Sequence, residues 1–461
     1  MEYSSLFFIY CFLPVSLLLY YCVPNKLKDM SLLLMSMAFC GLAGLPYLAY
    51  VMVFTLVNYT CARHIYILSS KKDGRYKLIP MAAGMVFNIA GLFILRMDCF
   101  AWIRHSVRLP EGFFPVGVSL FTLSATGYLI DVYSGKYKAD KNFVRFALYI
   151  MMFPRLLMGP VLRYDIFKRI LRTRRIGFQE IGKGAAVFIK GLAKKVIAAD
   201  TLYSMYSSVD SINVSDLSAG TAWMGISAYI LCLYFTLSGI ADMGVGIGYC
   251  FGFSFPQSFN YPLFSSRIRY FASRWHLQVI HWFRKYITRS FSARFKNRYV
   301  RKMIYVAAWT LAGFWYGFDA GSALWGALMG ISIVIEKRLS NSKMLKATGI
   351  IYTFLLTTVF AVFLSCDSLK DSFRYIFAML GGNHALADMQ TLYLMKSYLV
   401  LLIIMMYAST DLFRNILIRS GRSRIKAAIN AAAPAVGLLV LIICTALIAY
   451  SGSSDMILLR L

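Results

Sequence analysis

The segment AWMGISAYILCLYFTLS, residues 222 to 238, decides the fold class because it is a long apolar run without a charged side chain. A helix that crosses a bilayer needs about 20 such residues. Comparable runs recur along the chain on both sides of this segment. The sequence therefore predicts an all-α, polytopic membrane protein, with further spans at about 5–23, 78–95, 113–133, 146–162, 184–199, 322–336, 347–365, 392–408 and 431–450.

The composition agrees with this class. Of the 461 residues, 59% are hydrophobic and 15% are charged, which is too apolar for an ordinary soluble protein. We expect a single integral-membrane domain over residues 1–461. The apolar stretch 30–62 is interrupted by GLAGLP at 41–46, which predicts two short spans joined by a turn.

The charges predict how the chain is oriented. Lys and Arg collect in cytoplasmic connections of membrane proteins, and the net charge of +29 lies mainly in such connections. We expect the first span to begin outside. The predicted cytoplasmic connections are 25–29, 69–77, 163–175 and 414–426, and the outward loops without Lys or Arg are 209–218 and 381–391.

The same charges and the cysteines argue against other partners. Basic side chains beside apolar spans are explained by topology and by anionic lipid headgroups, so no nucleic-acid partner is predicted. The nine cysteines contain no CxxC pair. The sequence therefore predicts neither a disulfide framework nor a metal site.

Residues 265–302 differ from the apolar runs, with eleven Lys or Arg, two His, two Trp and no acid. Two interpretations remain open: an amphipathic helix at the headgroups, or a helix that dips into the membrane to line a polar cavity with His276 or His281. At helical spacing, one face carries the aromatic residues and a neighbouring face the polar ones. The aromatic set is Phe271, Trp275, Trp282 and Tyr286, and the polar set is Arg274, His281 and Lys285.

Two charged residues lie within or between apolar runs. An acid at membrane depth costs about 3 kcal/mol and therefore faces a partner or a pathway, and Asp242 is such an acid. Arg155 either meets an anionic donor group or extends to the headgroups. For Asp242, a structural ion pair and a functional role are both open; its available partners are Arg267, Arg269 and Arg274.

Several segments, in this order, resemble the membrane-bound O-acyltransferase (MBOAT) superfamily, and within it the bacterial branch of polysaccharide and alginate O-acetyltransferases. The resemblance covers nearly the whole chain. Its motifs include FPVGVSLFTLSATGYLIDVYSGK (114–136), MMFPRLLMGPVLRY (151–164), YFTLSGIADMGVGIGYCFGFSFPQSFNYP (234–262), SRWHLQVIHWFRKYI (273–287) and LWGALMG (324–330).

The resemblance implies a ring of about 10–13 transmembrane helices around a central funnel, with short re-entrant or interfacial helices and a core motif region at about 150–340. It also implies a histidine in the RWH motif, matched here by His276. The histidine usually assigned as catalytic base is followed nine residues later by the tryptophan of LWG. Tyr316 stands at that position, nine residues before Trp325. Met329 and Thr236 are further departures from the family pattern.

Tyr316 is a poor replacement for a general base. Histidine has a pKa near 7, which suits proton transfer at neutral pH, whereas tyrosine begins near 10. The sequence leaves three functions open. The first is an active acyltransferase in which His276 or His281 takes the proton, the second is a catalytically impaired scaffold or conduit of a polymer-modification or export complex, and the third is a tunnel for a lipid or acyl carrier.

For the active enzyme, the resemblance implies transfer of an acyl group, acetyl by default, across the cell membrane (plasma or inner) to hydroxyls of an exported polysaccharide or envelope polymer. The donor is acetyl-CoA or an acyl carrier thioester, with no bound cofactor. An extracytoplasmic acyl-transfer partner protein is also expected. The candidate catalytic residues are His276 and Tyr316; supporting or tunnel residues are Arg274, Trp275, His281, Trp282, Arg284, Trp315, Asp319, Trp325 and Asp242; donor or partner contacts are Arg155 and Arg163. For Asp319, a simple role at the helix turn is the alternative.

Overall fold

Helices are the regular secondary structure of the described part of the chain. In this computed structural model it contains no strand, which confirms the all-α prediction. The chain divides into two compact units. Unit 1 is Met1–Phe188 with Ile240–Pro256, and unit 2 is Ile189–Gly239 with Gln257–Leu461. The structure describes residues 2–69, 74–96, 117–338, 348–382, 386–410 and 423–451.

Unit 1 contains the first nine of the described α-helices, preceded by a π-helical turn at Phe8–Phe12. The last of them, α9, continues into unit 2. The helices are α1 (Leu13–Cys22), α2 (Lys28–Ala43), α3 (Leu45–Ser69), α4 (Leu78–Arg96), α5 (Val118–Tyr133), α6 (Phe143–Met151), α7 (Phe153–Leu156), α8 (Tyr164–Arg172) and α9 (Phe178–Ala193), with a 3-10 turn at Gly74–Lys77.

Unit 2 contains most of the remaining described helices, and the last part of α11 belongs to unit 1. Two π-helical segments, Lys194–Ala199 and Arg284–Arg289, extend helices that precede them. The helices are α10 (Asp200–Asp210), α11 (Ala219–Cys250), α12 (Ile268–Ala272), α13 (Leu277–Phe283), α14 (Ser290–Ser292), α15 (Arg298–Gly317), α16 (Ala320–Glu336), α17 (Gly349–Ser365), α18 (Leu369–Met379), α19 (Met389–Ala408) and α20 (Ser423–Ser451), with a 3-10 turn at Val214–Asp216.

In the described ranges, five helices are long and apolar enough to cross a membrane: α3, α4, α11, α19 and the part of α20 from Ala431 to Tyr450. They confirm a multi-pass membrane protein. The predicted turn within 30–62 is also confirmed, because α2 and α3 meet at Gly44, whose φ of 134° lies outside the range that other residues readily adopt. Parts of the predicted segments 69–77, 113–133, 381–391 and 414–426 lie outside the described residues.

The predicted span over 146–162 is wrong. Helix α6 ends at Met151, the four-residue helix α7 follows, and the chain from 157 to 163 is not helical. Pro154 explains part of this break, since proline cannot donate to the carbonyl four residues earlier. The Arg155 side chain explains the rest, because it binds carbonyls that a continuous helix would have used.

The prediction of one helical pattern over 271–286 is also wrong. Helix α12 ends at Ala272 and α13 begins at Leu277. Between them His276 adopts a left-handed backbone conformation, with φ 37° and ψ 56°, which costs roughly 1–2 kcal/mol for a residue other than glycine. The predicted aromatic face is therefore divided into two pairs: Phe271 stacks on Trp275 before the break, and Trp282 contacts Tyr286 after it.

Helices α15 and α16 form a closely packed hairpin in unit 2. Phe318, in the left-handed conformation, ends α15, and Asp319 begins α16. The two helices approach at glycines: a Cβ on Gly313 would overlap the carbonyl oxygen of Ser322, and one on Gly326 would overlap that of Trp309. This close approach places Tyr316, near the end of α15, beside the first turns of α16.

Candidate active site

A histidine and a tyrosine form the centre of the candidate site. The Nδ1 atom of His276 lies 2.8 Å from the hydroxyl oxygen of Tyr316. The Trp275 indole Nε1–H donates to the same oxygen at 3.1 Å. Both partners are buried, with 2% of His276 and 4% of Tyr316 exposed. The RWH motif at residues 274–276 and the WYG motif at residues 315–317 therefore meet, although His276 and Tyr316 are 40 residues apart.

Aromatic rings enclose this pair. Phe259 stacks on the imidazole of His276, with ring centroids 5.3 Å apart and planes inclined by 22°. Trp325 meets the ring of Tyr316 edge-on at 5.6 Å, and the Trp315 ring lies 6.2 Å from the His276 ring. Such walls exclude water, which strengthens hydrogen bonds inside them.

The indole N–H of Trp315 is a further polar group in these walls. The Nε1 atom is buried and has no hydrogen-bond partner among the described residues. An unpaired buried donor costs about 1–3 kcal/mol, so its retention next to the histidine calls for an explanation. A substrate carbonyl would supply the missing acceptor.

The direction of the His276–Tyr316 bond depends on the imidazole tautomer. With a proton on Nδ1, the histidine donates to the phenol oxygen, and Nε2 keeps a lone pair that can accept a proton. With the proton on Nε2, the phenol donates to Nδ1 instead. The bond from Trp275 is compatible with both, because an oxygen has two lone pairs. Only the first tautomer leaves Nε2 able to act as a base.

Glu336 is a functional candidate that the sequence analysis missed. Its side chain is buried, and its two carboxylate oxygens accept the backbone N–H groups of Ile268 at 2.8 Å and Arg269 at 3.1 Å. These are N–H groups at the start of α12, where a negative charge is stabilising. Glu336 therefore fixes the segment that leads to His276. The sequence did contain a signal for Glu336. It is an acid at the end of an apolar run, and an acid at membrane depth is costly unless it has a partner, which is the rule that singled out Asp242.

Asp319 caps a helix. Its Oδ1 atom accepts the Ser322 backbone N–H at 2.7 Å, and the Ser322 hydroxyl bonds back to Asp319. This is a capping box, a common start of an α-helix. The Asp319 side chain is exposed, and its observed contacts match the alternative of a simple role at the helix turn.

We expect Asp319→Ala to lower the free energy of unfolding by about 1 kcal/mol, because the cap of α16 is lost. Asp319→Asn is the matched control, since asparagine caps equally well without a charge. The measurement is the midpoint of thermal unfolding in detergent together with acyl transfer. An Asn variant that unfolds like wild type but transfers no acyl group would show that the carboxylate takes part in the chemistry.

The other candidates in the basic segment make contacts away from the His276–Tyr316 pair. His281 and Arg284 line a groove to which neither His276 nor Tyr316 contributes. Trp282 packs on Phe283 and Tyr286. The carbonyl of Arg274 accepts the Asn260 N–H at 3.0 Å, which ties the helix break to the preceding loop. Their predicted roles at the site remain predictions.

In unit 1, Arg155 is a buried structural cation. Its guanidinium donates to the carbonyl of Tyr149 at 3.1 Å and to that of Pro160 at 3.2 and 3.3 Å. It also lies between two aromatic rings, those of Tyr149 and Phe167, at 5.4 and 5.2 Å from their centroids. These bonds hold the non-helical chain after α7, so they account for the side chain without an anionic ligand.

We expect Arg155→Lys to lower the free energy of unfolding by about 2–3 kcal/mol, because one ammonium cannot reach both carbonyls and charged hydrogen bonds are worth that much. Arg163→Lys, at an exposed position, is the control and should change stability by less than about 0.5 kcal/mol. Thermal unfolding in detergent measures both. If the Arg155→Lys variant unfolds like wild type but is stabilised less by added acyl donor, the result would instead support a contact between Arg155 and the donor.

The two remaining candidates stay predictions. Arg163 is exposed and bonds Asp165 at 2.8 Å and the Tyr137 hydroxyl at 2.5 Å. Asp242 lies half-buried on α11 in unit 1. Within the described ranges, no group of three His, Cys, Asp or Glu side chains is arranged to hold a metal ion.

Comparison with known proteins finds relatives whose names describe acyl-group transfer. No family profile matches the chain. A probable alginate O-acetylase AlgI of Azotobacter vinelandii is 29% identical over 402 residues, covering 84% of this chain and 80% of that protein.

Two further relatives carry related names. A peptidoglycan O-acetyltransferase of Helicobacter pylori is 25% identical over 429 residues, which is 83% of this chain and 80% of the relative. A teichoic acid D-alanyltransferase of Bacillus subtilis is 26% identical over 224 residues, which is 46% of this chain and 56% of the relative. The relatives named for O-acetylation thus match the chain over a greater length.

Proposed function

We propose that this protein is a membrane O-acyltransferase that esterifies hydroxyls of an exported polysaccharide or another cell-envelope polymer. The relatives named for alginate and peptidoglycan O-acetylation support this assignment. The observation that carries it is the buried 2.8 Å contact between His276 and Tyr316, which brings the two family motifs together. Acetyl is the proposed acyl group, because the O-acetylating relatives match 83–84% of the chain.

His276 is the proposed general base. Transfer from a thioester requires removal of the acceptor hydroxyl proton, and Nε2 of the Nδ1–H tautomer would accept it. The acceptor oxygen then attacks the thioester carbonyl carbon, and the carbon–sulfur bond breaks. The departing thiolate takes the proton back from the imidazolium. The products are an ester and a thiol, and the histidine returns to its starting state.

Tyr316 is the proposed positioning residue, acting through His276. Its oxygen accepts the Nδ1–H bond, which orients the ring and stabilises the imidazolium as it forms, much as a carboxylate does in hydrolase triads. A buried phenol without a cation beside it stays neutral and supplies no phenolate to act as base, so the exchange of histidine for tyrosine at this position moves the base role to His276.

Trp315 is the proposed partner of the acyl carbonyl. Its Nε1–H is buried and lacks an acceptor among the described residues, and its ring lies 6.2 Å from the His276 ring. Negative charge develops on the carbonyl oxygen during attack, and a donor fixed in advance stabilises it. The indole would thereby gain the hydrogen bond that it lacks.

The donor, the partners and the compartment belong to the same proposal. The donor is acetyl-CoA or an acyl carrier thioester, and the protein lies in the plasma or inner membrane. An extracytoplasmic partner protein receives the acyl group or presents the polymer. The alternative of a scaffold without chemistry is not favoured, because the relatives are named for group transfer.

The test is the ester-linked acetyl content of the exported polymer in cells that lack the protein. We expect the content to fall on deletion and to return with the wild-type chain. A chain without its own chemistry would leave the ester content unchanged on deletion when the rest of the polymer pathway is intact, and that result would overturn the proposal.

A further inference from the structure

A groove of about 300 Å³ lies in unit 2, beside the candidate active site but lined by other side chains. Its walls come from α12, from α13 and the π-helical segment that follows it, from α15, and from Lys337 just after α16. The cations at its rim are Arg269, Arg284 and Lys337, all of them exposed. The groove is therefore an open, positively charged depression, and the proposed chemistry assigns no role to its three cations.

The charges at the rim are not neutralised by acids. Within the part of the chain that the structure describes, none of Arg269, Arg284 and Lys337 forms an ion pair. The nearby carboxylate of Glu336 is taken up by two backbone N–H groups. Burial, followed by the positive charges of Arg284 and Arg289, lowers the pKa of His281. Among the described residues, this face thus carries positive charge that no carboxylate balances.

Lys302, next to the groove, gives the same indication. Its ammonium nitrogen is shielded from solvent and has no hydrogen-bond partner among the described residues. Burial and the like charges of Arg338, Arg298 and Lys337 lower its pKa. A cluster of cations that repel one another is stabilised when a multivalent oxyanion enters it.

Apart from the three cations and the polar residues Ser273, His281 and Thr288, the lining is apolar or aromatic. Phe283, Tyr305 and Trp309 are the aromatic members. Tyr and Trp are enriched where a membrane protein meets the headgroups. The smaller apolar residues along the groove are Ala272, Leu277, Ile280, Ala308 and Ala312. A ligand with a charged head and a hydrocarbon chain matches both parts.

The surroundings favour a lipid over a soluble ligand. On the same two helices, Met303 and Ile335 are exposed by 71% and 51%, as expected of side chains that face acyl chains. The adjacent cations at 298–302 and 337–338 place this end of α15 and α16 on the cytoplasmic side by the positive-inside rule. Basic pockets at that side recognise anionic headgroups.

We propose that this groove binds the phosphate headgroup of an anionic phospholipid, with the phosphate held by Arg269, Arg284 and Lys337 and the first part of an acyl chain lying along α13. The site is distinct from the His276–Tyr316 pair, and the proposal does not rest on acyl transfer. Substitution of the groove cations is therefore expected to weaken the binding of anionic lipid.

The test uses the full chain in neutral detergent, stripped of lipid. Thermal unfolding is followed while phosphatidylglycerol, phosphatidylcholine, inorganic phosphate or coenzyme A is added. Each cation near an anionic lipid contributes about a fivefold change in affinity. The double variant Arg284→Gln/Lys337→Gln should therefore need about 25-fold more phosphatidylglycerol for the same shift. Arg294→Gln, an exposed cation outside the groove, is the matched control and should behave as wild type.

Three outcomes would overturn the proposal. Equal responses to phosphatidylglycerol and phosphatidylcholine would show that charge is not recognised. Equal losses in the groove variant and in Arg294→Gln would indicate general surface attraction. Phosphate or coenzyme A acting as strongly as the lipid would assign the groove to a soluble phosphate ester. Should the double variant not fold, competition of the two lipids for the wild-type chain in native mass spectrometry decides the first point.

Discussion

His276→Ala is expected to reduce acyl transfer by about 10²–10⁴-fold, which is the usual contribution of a general base. The substitution removes the imidazole from a buried pair in which its Nδ1 atom lies 2.8 Å from the Tyr316 oxygen. Alanine also adopts the left-handed backbone of this position less readily than histidine does. The ester-linked acetyl content of the exported polymer, in a deletion strain carrying each variant, is the measurement.

A matched control distinguishes chemistry from folding. His64→Ala removes an exposed histidine on α3 in unit 1 and should leave the ester content at the wild-type level. His276→Gly accepts the left-handed conformation and should be as inactive as His276→Ala while folding more readily. Wild-type ester content in cells carrying either His276 variant at normal protein levels would remove this histidine from the mechanism.

Tyr316→Phe is expected to lower the transfer rate by about 10–100-fold, less than loss of the histidine. The ring and its packing are kept, but Nδ1 of His276 and Nε1 of Trp275 both lose their partner oxygen. A hydrogen bond to a charged group is worth about 1.5–3 kcal/mol, which corresponds to this range of rates. The rate is measured in membrane vesicles supplied with a thioester donor and a polymer fragment.

The pH dependence separates a positioning role from simple packing. If the phenol oxygen stabilises the imidazolium, its removal makes His276 harder to protonate, and the acidic limb of the rate profile should move to lower pH in Tyr316→Phe. An unchanged profile with a lower rate would mean that Tyr316 only fills space. Tyr316→His restores the residue expected from the family and can still bond His276, so it should retain activity. If wild type is inactive and Tyr316→His is active, the chain has instead lost its catalytic activity through this one exchange.

Local sequence patterns predicted the parts of the molecule that depend on neighbours in the chain. Apolar runs of sufficient length identified helices such as α4, α16 and α17, because membrane insertion depends mainly on such runs. The interruption GLAGLP identified the turn at Gly44. The resemblance singled out His276 and Tyr316 separately, and their contact could not have been obtained from spacing alone.

Features that depend on distant carbonyls and backbone N–H groups were not predicted. Arg155 stood within an apolar run that had been assigned as a span, and the carbonyls that it binds become available only once the helix is broken. Nothing local marks the break before His276, since residues 273 to 276 contain neither glycine nor proline. Tertiary contacts compensate for both helix breaks. The hydrogen bonds of the Arg155 guanidinium stabilise the first break. The bond between His276 and Tyr316, together with the bonds of Glu336 to the start of α12, stabilises the second.

The carboxylate of Glu336 determines more than the position of α12. It holds residue 268 at the far end of α16, while Tyr316 holds residue 276 near its beginning, and the 17 residues of α16 make it about 25 Å long. The short segment between these two attachments is thus a strap of fixed length, fastened at both ends to one hairpin. Its tolerance for insertions and deletions should be close to zero even though the part after Ala272 is not regular helix. One residue more or less would turn the imidazole away from the phenol without disturbing a single span.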